Sequence, residues 1–363
     1  MKIGLSTGGG DCPGLNAVIR AATKHAIGTY KMEVIGIRDS FNGLIKRPYE
    51  TMPLSIEKVA EILTRGGTIL GTTSSGNPFK FKDNTAKVEE DKSQLVLDAY
   101  RDLDLDGLIV VGGDGTQGIC QKLSQLGLNI IGIPKTIDND LIPTDLTVGF
   151  DTAVAVAAEA TERLQSTAES HERVMILEVM GRDAGHIALH AGIAGGANII
   201  LLPEIPFAYE PIIDKLTSRK KLGRHFSVIV VAEGAYQQSQ NKTYTTNSSG
   251  SQNLGGVGQN VAQEIYNRTG IETRVTVLGH IQRGGIPTPD DRVLASAFGA
   301  HAIDMAHGKR FGRIIGMKGG ELIETRYEDI QGKYRPISLD HHLIKTAESI
   351  GICLGRPSRF QLA

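Results

Sequence analysis

The chain is short of three things, and each shortage removes a class of function. It has three cysteines in 363 residues, Cys12, Cys120 and Cys353. They lack metal-type spacing, so free thiols in a reducing compartment are expected, and with them a cytoplasmic protein. Charge imbalance is almost absent, since 39 Lys and Arg against 40 Asp and Glu leave a formal charge of -1. That argues against a strongly basic nucleic-acid surface while leaving room for a local anion pocket. No apolar run approaches the roughly 20 residues of a membrane span. The opening MKIGLSTGGG passes into a strand pattern and a glycine loop, where a signal peptide would place an apolar stretch. No long linker or charge run divides the chain, so its length reads as two lobes in one compact unit.

What the chain has in excess is glycine, 44 residues, well above the usual share of about 7%. The glycines cluster where strands end. Short runs rich in Ile, Val and Leu, namely IGLST, EVIGI, GLIVVGG, NIIGI, RVMILEV, NIILL, SVIVVA and TRVTVL, alternate with helical patterns. Such runs predict parallel strands buried on both faces, hence a doubly wound α/β architecture. Leu15 to His25 and the alanine-rich Asp151 to Thr167 suit helices. Tyr236 to Gly256, containing QQSQNKTYTTNSSGSQNLGG, is polar and reads as a mobile surface loop near a site; a solvated spacer is the plainer alternative.

Six clusters at successive strand ends carry the chemistry. In STGGGDCPGLNAVIR, residues 6–20, a strand runs into three glycines and then a helix, a backbone arrangement that holds anions. It lacks the Walker lysine and the G-x-G-x-x-G spacing. GLIVVGGDGTQG, residues 107–118, presents Asp114 at a strand's carboxyl end, where doubly wound sheets bind ligands; a capped tight turn is the alternative. In IPKTIDNDL, residues 133–141, an extended chain would point Thr136, Asp138 and Asp140 the same way, although Asp and Asn are also ordinary turn residues. If Asp114, Asp138 and Asp140 converge, Mg²⁺ explains carboxylates so close together. Arg182, in EVMGRDAGH, is placed to meet a phosphate, or else is a surface ion-pair residue. Glu233 in VVAEGA and Arg274, His280 and Arg283 in TRVTVLGHIQRGG suit a sugar phosphate, with cations for the phosphate and a carboxylate for hydroxyls.

TGGGDCPGLNAVIR, GGDGT, TIDND, GFDTA, EVMGRDAGH, PEIPF and TRVTVLGHIQRGG, in this order, resemble the 6-phosphofructokinase family from the first strand to about residue 310. The resemblance implies two doubly wound Rossmann-like lobes with mostly parallel sheets and an active-site cleft between them. Residues 1–149 with about 282–332 would be the donor and Mg-binding lobe, and 150–281 with about 333–363 the fructose 6-phosphate lobe. It further implies phosphoryl transfer to O1 of fructose 6-phosphate with Mg²⁺. Asp138 would be the general base, Thr136 would hold the transferring phosphoryl, and Arg182 would stabilise its charge. Gly9, Gly10, Gly113, Asp114, Gly115, Thr116 and Lys135 would bind the donor, with Asp114 and Asp140 on the metal. Thr136, Asp138, Met180, Gly181, Arg182, Glu233, His280 and Arg283 would meet the sugar phosphate. Arg173 and Arg274 would complete the site of a neighbouring subunit in a homo-oligomer, taken as a homotetramer.

The donor motifs conflict. Lys135 stands where bacterial ATP-using relatives commonly have glycine, whereas Gly115 stands where pyrophosphate users usually carry a second aspartate. Ser74, in GTILGTTSSGNPF, replaces an arginine that many ATP users place near the donor phosphates. Gly115 leaves room for an α-phosphate and Lys135 can pair with either donor, so ATP is the expected donor and pyrophosphate the alternative. Ile56, Gln165 and Asn198 occupy positions where charged effector ligands would stand beside Arg20 and Lys24, which implies weak control by ADP or phosphoenolpyruvate. A catalytically silent sensor would have no need of Asp138.

Overall fold

A computed structural model describes residues 1–82, 88–238, 240–246, 252–330 and 334–357. In chain order the strands are β1 (Lys2–Thr7), β2 (Glu33–Ile37), β3 (Thr51–Leu54), β4 (Gly107–Gly112), β5 (Ile130–Pro134), β6 (Val174–Val179) and β7 (Ile199–Leu201). They continue with β8 (Ser227–Ala232), β9 (Tyr244–Thr246), β10 (Gln252–Leu254), β11 (Thr273–Val277), β12 (Arg313–Lys318) and β13 (Glu321–Arg326). The chain divides into two compact units, Met1–Thr152 with Arg283–Tyr334, and Ala153–Gln282 with Arg335–Ala363.

In the first unit one sheet runs β13-β12-β5-β4-β1-β2-β3. Its inner strands are parallel, and every residue of β4 and β5 is buried, as uninterrupted Ile and Val runs require. The edges escape the sequence reading. β3 and β13 lie antiparallel to their neighbours; TMPL carries a proline, tolerated on an edge strand, and ELIETR is polar. In the second unit β11-β6-β8-β7 form a parallel sheet, whose core includes Ile176, Ile199, Phe207, Ile229 and Val261.

The expected helices are present and longer than their sequence bounds, spanning Leu15–Tyr30 and Phe150–Ser170. The polar stretch 236–256 needs correction, because its described ends are paired: β9 and β10 form an antiparallel ribbon with Tyr244 opposite Leu254 and Thr246 opposite Gln252. Thr and Tyr favour extended backbone, a local signal that the overall polarity concealed. Residues 239 and 247–251 of that stretch lie outside the described residues.

Candidate active site

Two strand ends and one helix start build a cavity in the first unit. β1 leads into Gly8, whose amide donates to the Val111 carbonyl at 2.9 Å, and Gly9, whose amide donates to the Thr73 carbonyl at 3.0 Å. Gly9 sits at φ +80°, a conformation that side chains resist. β4 ends beside it, and the helix Asp114–Gln125 starts after Gly113. Gln117 ties these ends together, its amide group donating to the carbonyls of Gly112 and Ile133, both at 3.1 Å. The resulting cavity of about 330 Å³ is lined by Gly9, Gly10, Gly113, Asp114, Gly115, Thr116, Lys135, Thr136 and Arg283, together with Ser40, Thr73, Ser74, Gly76, Asn77 and Ile119.

The first-turn amides of the 114–125 helix face this cavity with the positive end of the helix dipole. The Leu15–Tyr30 helix, which the sequence offered for that role, contributes none of the lining residues. Lys135 is 3% exposed, and its ammonium donates to the Gly10 carbonyl. Burial pushes its pKa below the ordinary lysine value, with Arg283 adding to the shift and the carboxylates of Asp11 and Asp138 opposing it. A buried cation beside backbone amides is a site for phosphate oxygens.

The acidic segment beyond it is folded differently from the extended reading. β5 stops at Pro134, and Lys135 makes a single parallel bridge to Val148. The chain then turns at Ile137 and Asp138, and Asn139 takes φ +51°, so Thr136, Asp138 and Asp140 do not alternate along a strand. The turn is pinned from inside. The Asp138 amide donates to Thr136 Oγ1 at 3.1 Å, Thr147 Oγ1 donates to the Thr136 carbonyl at 2.6 Å, and buried Asn139 donates to the Asp145 carbonyl at 3.0 Å. Asp138 and Asp140 are half-buried and directly follow the cavity-lining Thr136, but neither lines the cavity itself.

In the second unit the remaining residues fall into two groups at opposite ends of one sheet. Met180, Gly181 and Arg182 follow β6, Glu233 follows β8, and His280 follows β11 in the turn Gly279–Arg283. They are stitched together by backbone. The Glu233 amide donates to the Val179 carbonyl at 2.8 Å and the Gly234 amide to the Gly181 carbonyl at 3.1 Å, while Gln282 accepts from the Met180 amide at 3.4 Å. Gly181 adopts φ +136°, which only glycine takes readily. Arg173 and Arg274 lie at the other end, both paired with Glu272, Arg173 at 2.6 Å. Seven residues along β6 separate Arg173 from Met180, roughly 23 Å at 3.3 Å per residue.

With this geometry in view, the comparisons decide the family. A family model described as phosphofructokinase matches residues 2–306. An ATP-dependent 6-phosphofructokinase 1 from Synechocystis sp. is 47% identical over 357 residues, covering 98% of each chain. The chain belongs to the phosphofructokinase family. A pyrophosphate–fructose 6-phosphate 1-phosphotransferase from Amycolatopsis methanolica is 45% identical over 341 residues, 93% of this chain and 96% of that one. Pichia pastoris phosphofructokinase in the T-state superposes with a TM-score of 0.79 at 27% identity, covering 90% of this chain and 35% of that one. The chain thus spans about a third of that protein's length.

Phosphofructokinases imply phosphoryl transfer with a divalent metal. Among the described residues no group of three or more His, Cys, Asp or Glu could hold a metal ion. Asp138 and Asp140 stand in the turn directly after the cavity-lining Thr136, in the same unit as Asp114. Asp114 stands on the wall of a cavity otherwise made mainly of amides, hydroxyls and the cationic side chains of Lys135 and Arg283. That set fits a hard cation that takes one or two carboxylates and fills its other positions with phosphate oxygens and water. The sequence reading missed Ser40, Asn77 and Gln117. Only Gln117 carried a signal, a polar side chain on the buried face of a helix. Cys12, Cys120 and Cys353 are free and buried, and no described helix is long and apolar enough to cross a membrane.

Proposed function

We propose that this phosphofructokinase transfers a phosphoryl group from ATP to O1 of fructose 6-phosphate, with Mg²⁺ as the divalent ion. The observation that carries the reading is the cavity at the start of the 114–125 helix, where amides, Lys135 and Asp114 surround a space that Gly115 leaves open. A Cβ built at Gly115 meets no atom within 4 Å, so the wall can admit the α-phosphate and the rest of a nucleotide.

The first unit binds the donor. Gly9, Gly10 and the amides of Gly113 to Thr116 receive phosphate oxygens, and Lys135 balances their charge. Asp114 and Asp140 would hold the metal, which would supply charge neutralisation on the phosphates. Asp138 accepts the proton of the sugar 1-hydroxyl while Thr136, held by its place in the turn, orients the transferring group. In the second unit Met180, Gly181, Glu233 and His280 hold the sugar phosphate, and Arg182, most of its side chain in solvent, is available to spread the charge of the phosphoryl in flight. Arg283, donating to the Asp11 carbonyl at 3.2 Å, adds a cation beside the glycine loop. The separation of Arg173 and Arg274 from this group supports a homo-oligomer in which those arginines serve a neighbour's site.

The test is steady-state turnover of purified protein with ATP or pyrophosphate at equal magnesium, for the native chain and Asp138→Asn. ATP turnover that vanishes in the variant while fructose 6-phosphate binding persists is the expected result. Turnover with pyrophosphate and none with ATP overturns the donor; full activity in Asp138→Asn overturns the base.

A further inference from the structure

The roles above give the polar stretch around β9 and β10 no task, yet one of its side chains reaches the turn that carries Arg182. Lys242 Nζ donates to the Arg182 carbonyl at 2.7 Å and to an Asp183 carboxylate oxygen at 2.8 Å. Its side chain is 26% exposed. The same carboxylate faces Arg182 Nε at 3.6 Å, and the Arg182 side chain is 75% exposed. The lysine is not on a loose end. The neighbouring Thr243 accepts from the Gly255 amide at 3.2 Å and from Asn260 Nδ2 at 3.3 Å, and the Gly256 and Gly258 amides donate to buried Glu178 on β6 at 2.9 and 2.8 Å.

Arg182 therefore has a carboxylate one residue away that competes with any phosphate for its guanidinium. A cation at 2.8 Å satisfies that carboxylate better than a guanidinium at 3.6 Å. On the other side Gly234 packs against the Arg182 carbonyl so closely that a Cβ there would collide with it. The backbone of the turn is thus held from β8 and from the ribbon at once, while the Arg182 side chain is left pointing into solvent.

We propose that Lys242 is a positioning residue for phosphoryl transfer: it occupies Asp183 and clamps the Arg182 carbonyl, so that the Arg182 guanidinium is free for the transferring phosphoryl. This rests on the role given to Arg182 above. It assigns the ribbon a function in turnover without contact to either substrate.

The experiment is steady-state kinetics of the full chain with ATP and fructose 6-phosphate for Lys242→Met, Lys242→Arg, Lys242→Met with Asp183→Asn, and Arg182→Ala, with melting temperatures alongside. Lys242→Met is expected to lower kcat by about tenfold to a hundredfold, the range for a misplaced catalytic group, with the KM for ATP unchanged. Lys242→Arg should recover most of the loss. Asp183→Asn should restore kcat in the Lys242→Met background, because the competing carboxylate is then gone; a purely structural lysine predicts a double variant no better than the single one. A normal kcat in Lys242→Met beside a depressed one in Arg182→Ala overturns this proposal alone, as does a double variant without recovery. A normal kcat in Arg182→Ala overturns the role of Arg182 and this inference with it.

Discussion

Replacing Gly115 by aspartate isolates the electrostatic part of donor choice. Gly115 is the second residue of the 114–125 helix and lines the cavity. A Cβ there meets nothing within 4 Å, and the backbone lies outside the left-handed region, so the fold should tolerate the change. An added acid in the first turn even favours the helix, by about 0.3–1 kcal/mol. The cost falls on the ligand. A carboxylate about 4 Å from a phosphate charge costs about 4 kcal/mol at an effective dielectric of 20 and about 1 kcal/mol in bulk water. Residue 115 is exposed, which weights the figure to about 1–2 kcal/mol, or a loss of about 5- to 30-fold in kcat/KM for ATP. Pyrophosphate places no α-phosphate there and should lose less. The assay couples fructose 1,6-bisphosphate formation to NADH oxidation with each donor, with Gly115→Asn as the control for volume. Equal losses for the two donors, or a Gly115→Asn variant as impaired as Gly115→Asp, would refute the charge argument.

Three further outcomes follow from the geometry. Arg274→Ala should raise the KM for fructose 6-phosphate at least tenfold, the cost of an arginine–phosphate contact of roughly 1.5–3 kcal/mol, and mixing it with Asp138→Asn should regenerate active hybrid oligomers; mixtures that stay silent count against shared sites. Gln165 donates to the Gly195 and Gly196 carbonyls at 3.1 and 2.9 Å, and Asn198 accepts from the Val228 amide at 3.0 Å, so both are committed to the fold, and the sugar-phosphate curve should stay hyperbolic with or without ADP; a sigmoidal curve straightened by ADP contradicts this. Burial, aided by the nearby Arg335 charge, pushes the His186 pKa from 6.5 to about 4, so the unfolded chain takes up its proton first as pH falls. Stability should be full above pH 6.5 and drain by up to about 3 kcal/mol toward pH 4, with a shallower fall of melting temperature over that window in His186→Gln; identical slopes would refute it.

Legibility in the sequence followed the physical demand on each residue. β1, β4, β5, β6 and β8 had to be apolar on both faces, so their runs announced them, whereas the edge strands were masked, β3 by its shortness and its proline and β13 by its charged residues. Gly9 and Gly181 were legible because their positive φ admits little else. IDND was ambiguous for a reason that composition cannot remove. Asn is favoured both in turns and at φ above zero, and the bonds from Thr147 and Asn139 to backbone 11 and 6 residues away, which help fix the turn, leave no local signature. Lys242 is the limiting case. It meets Arg182 and Asp183 across 60 and 59 residues, with nothing near it in sequence to mark it from any other lysine in a solvated stretch. Its meaning comes from the Thr243 and Glu178 anchors, which set the ribbon's path over β6. A residue that acts through another residue's freedom leaves a trace in the fold before it leaves one in a motif, so in this chain such residues are to be sought along the ribbon beside the Arg182 turn.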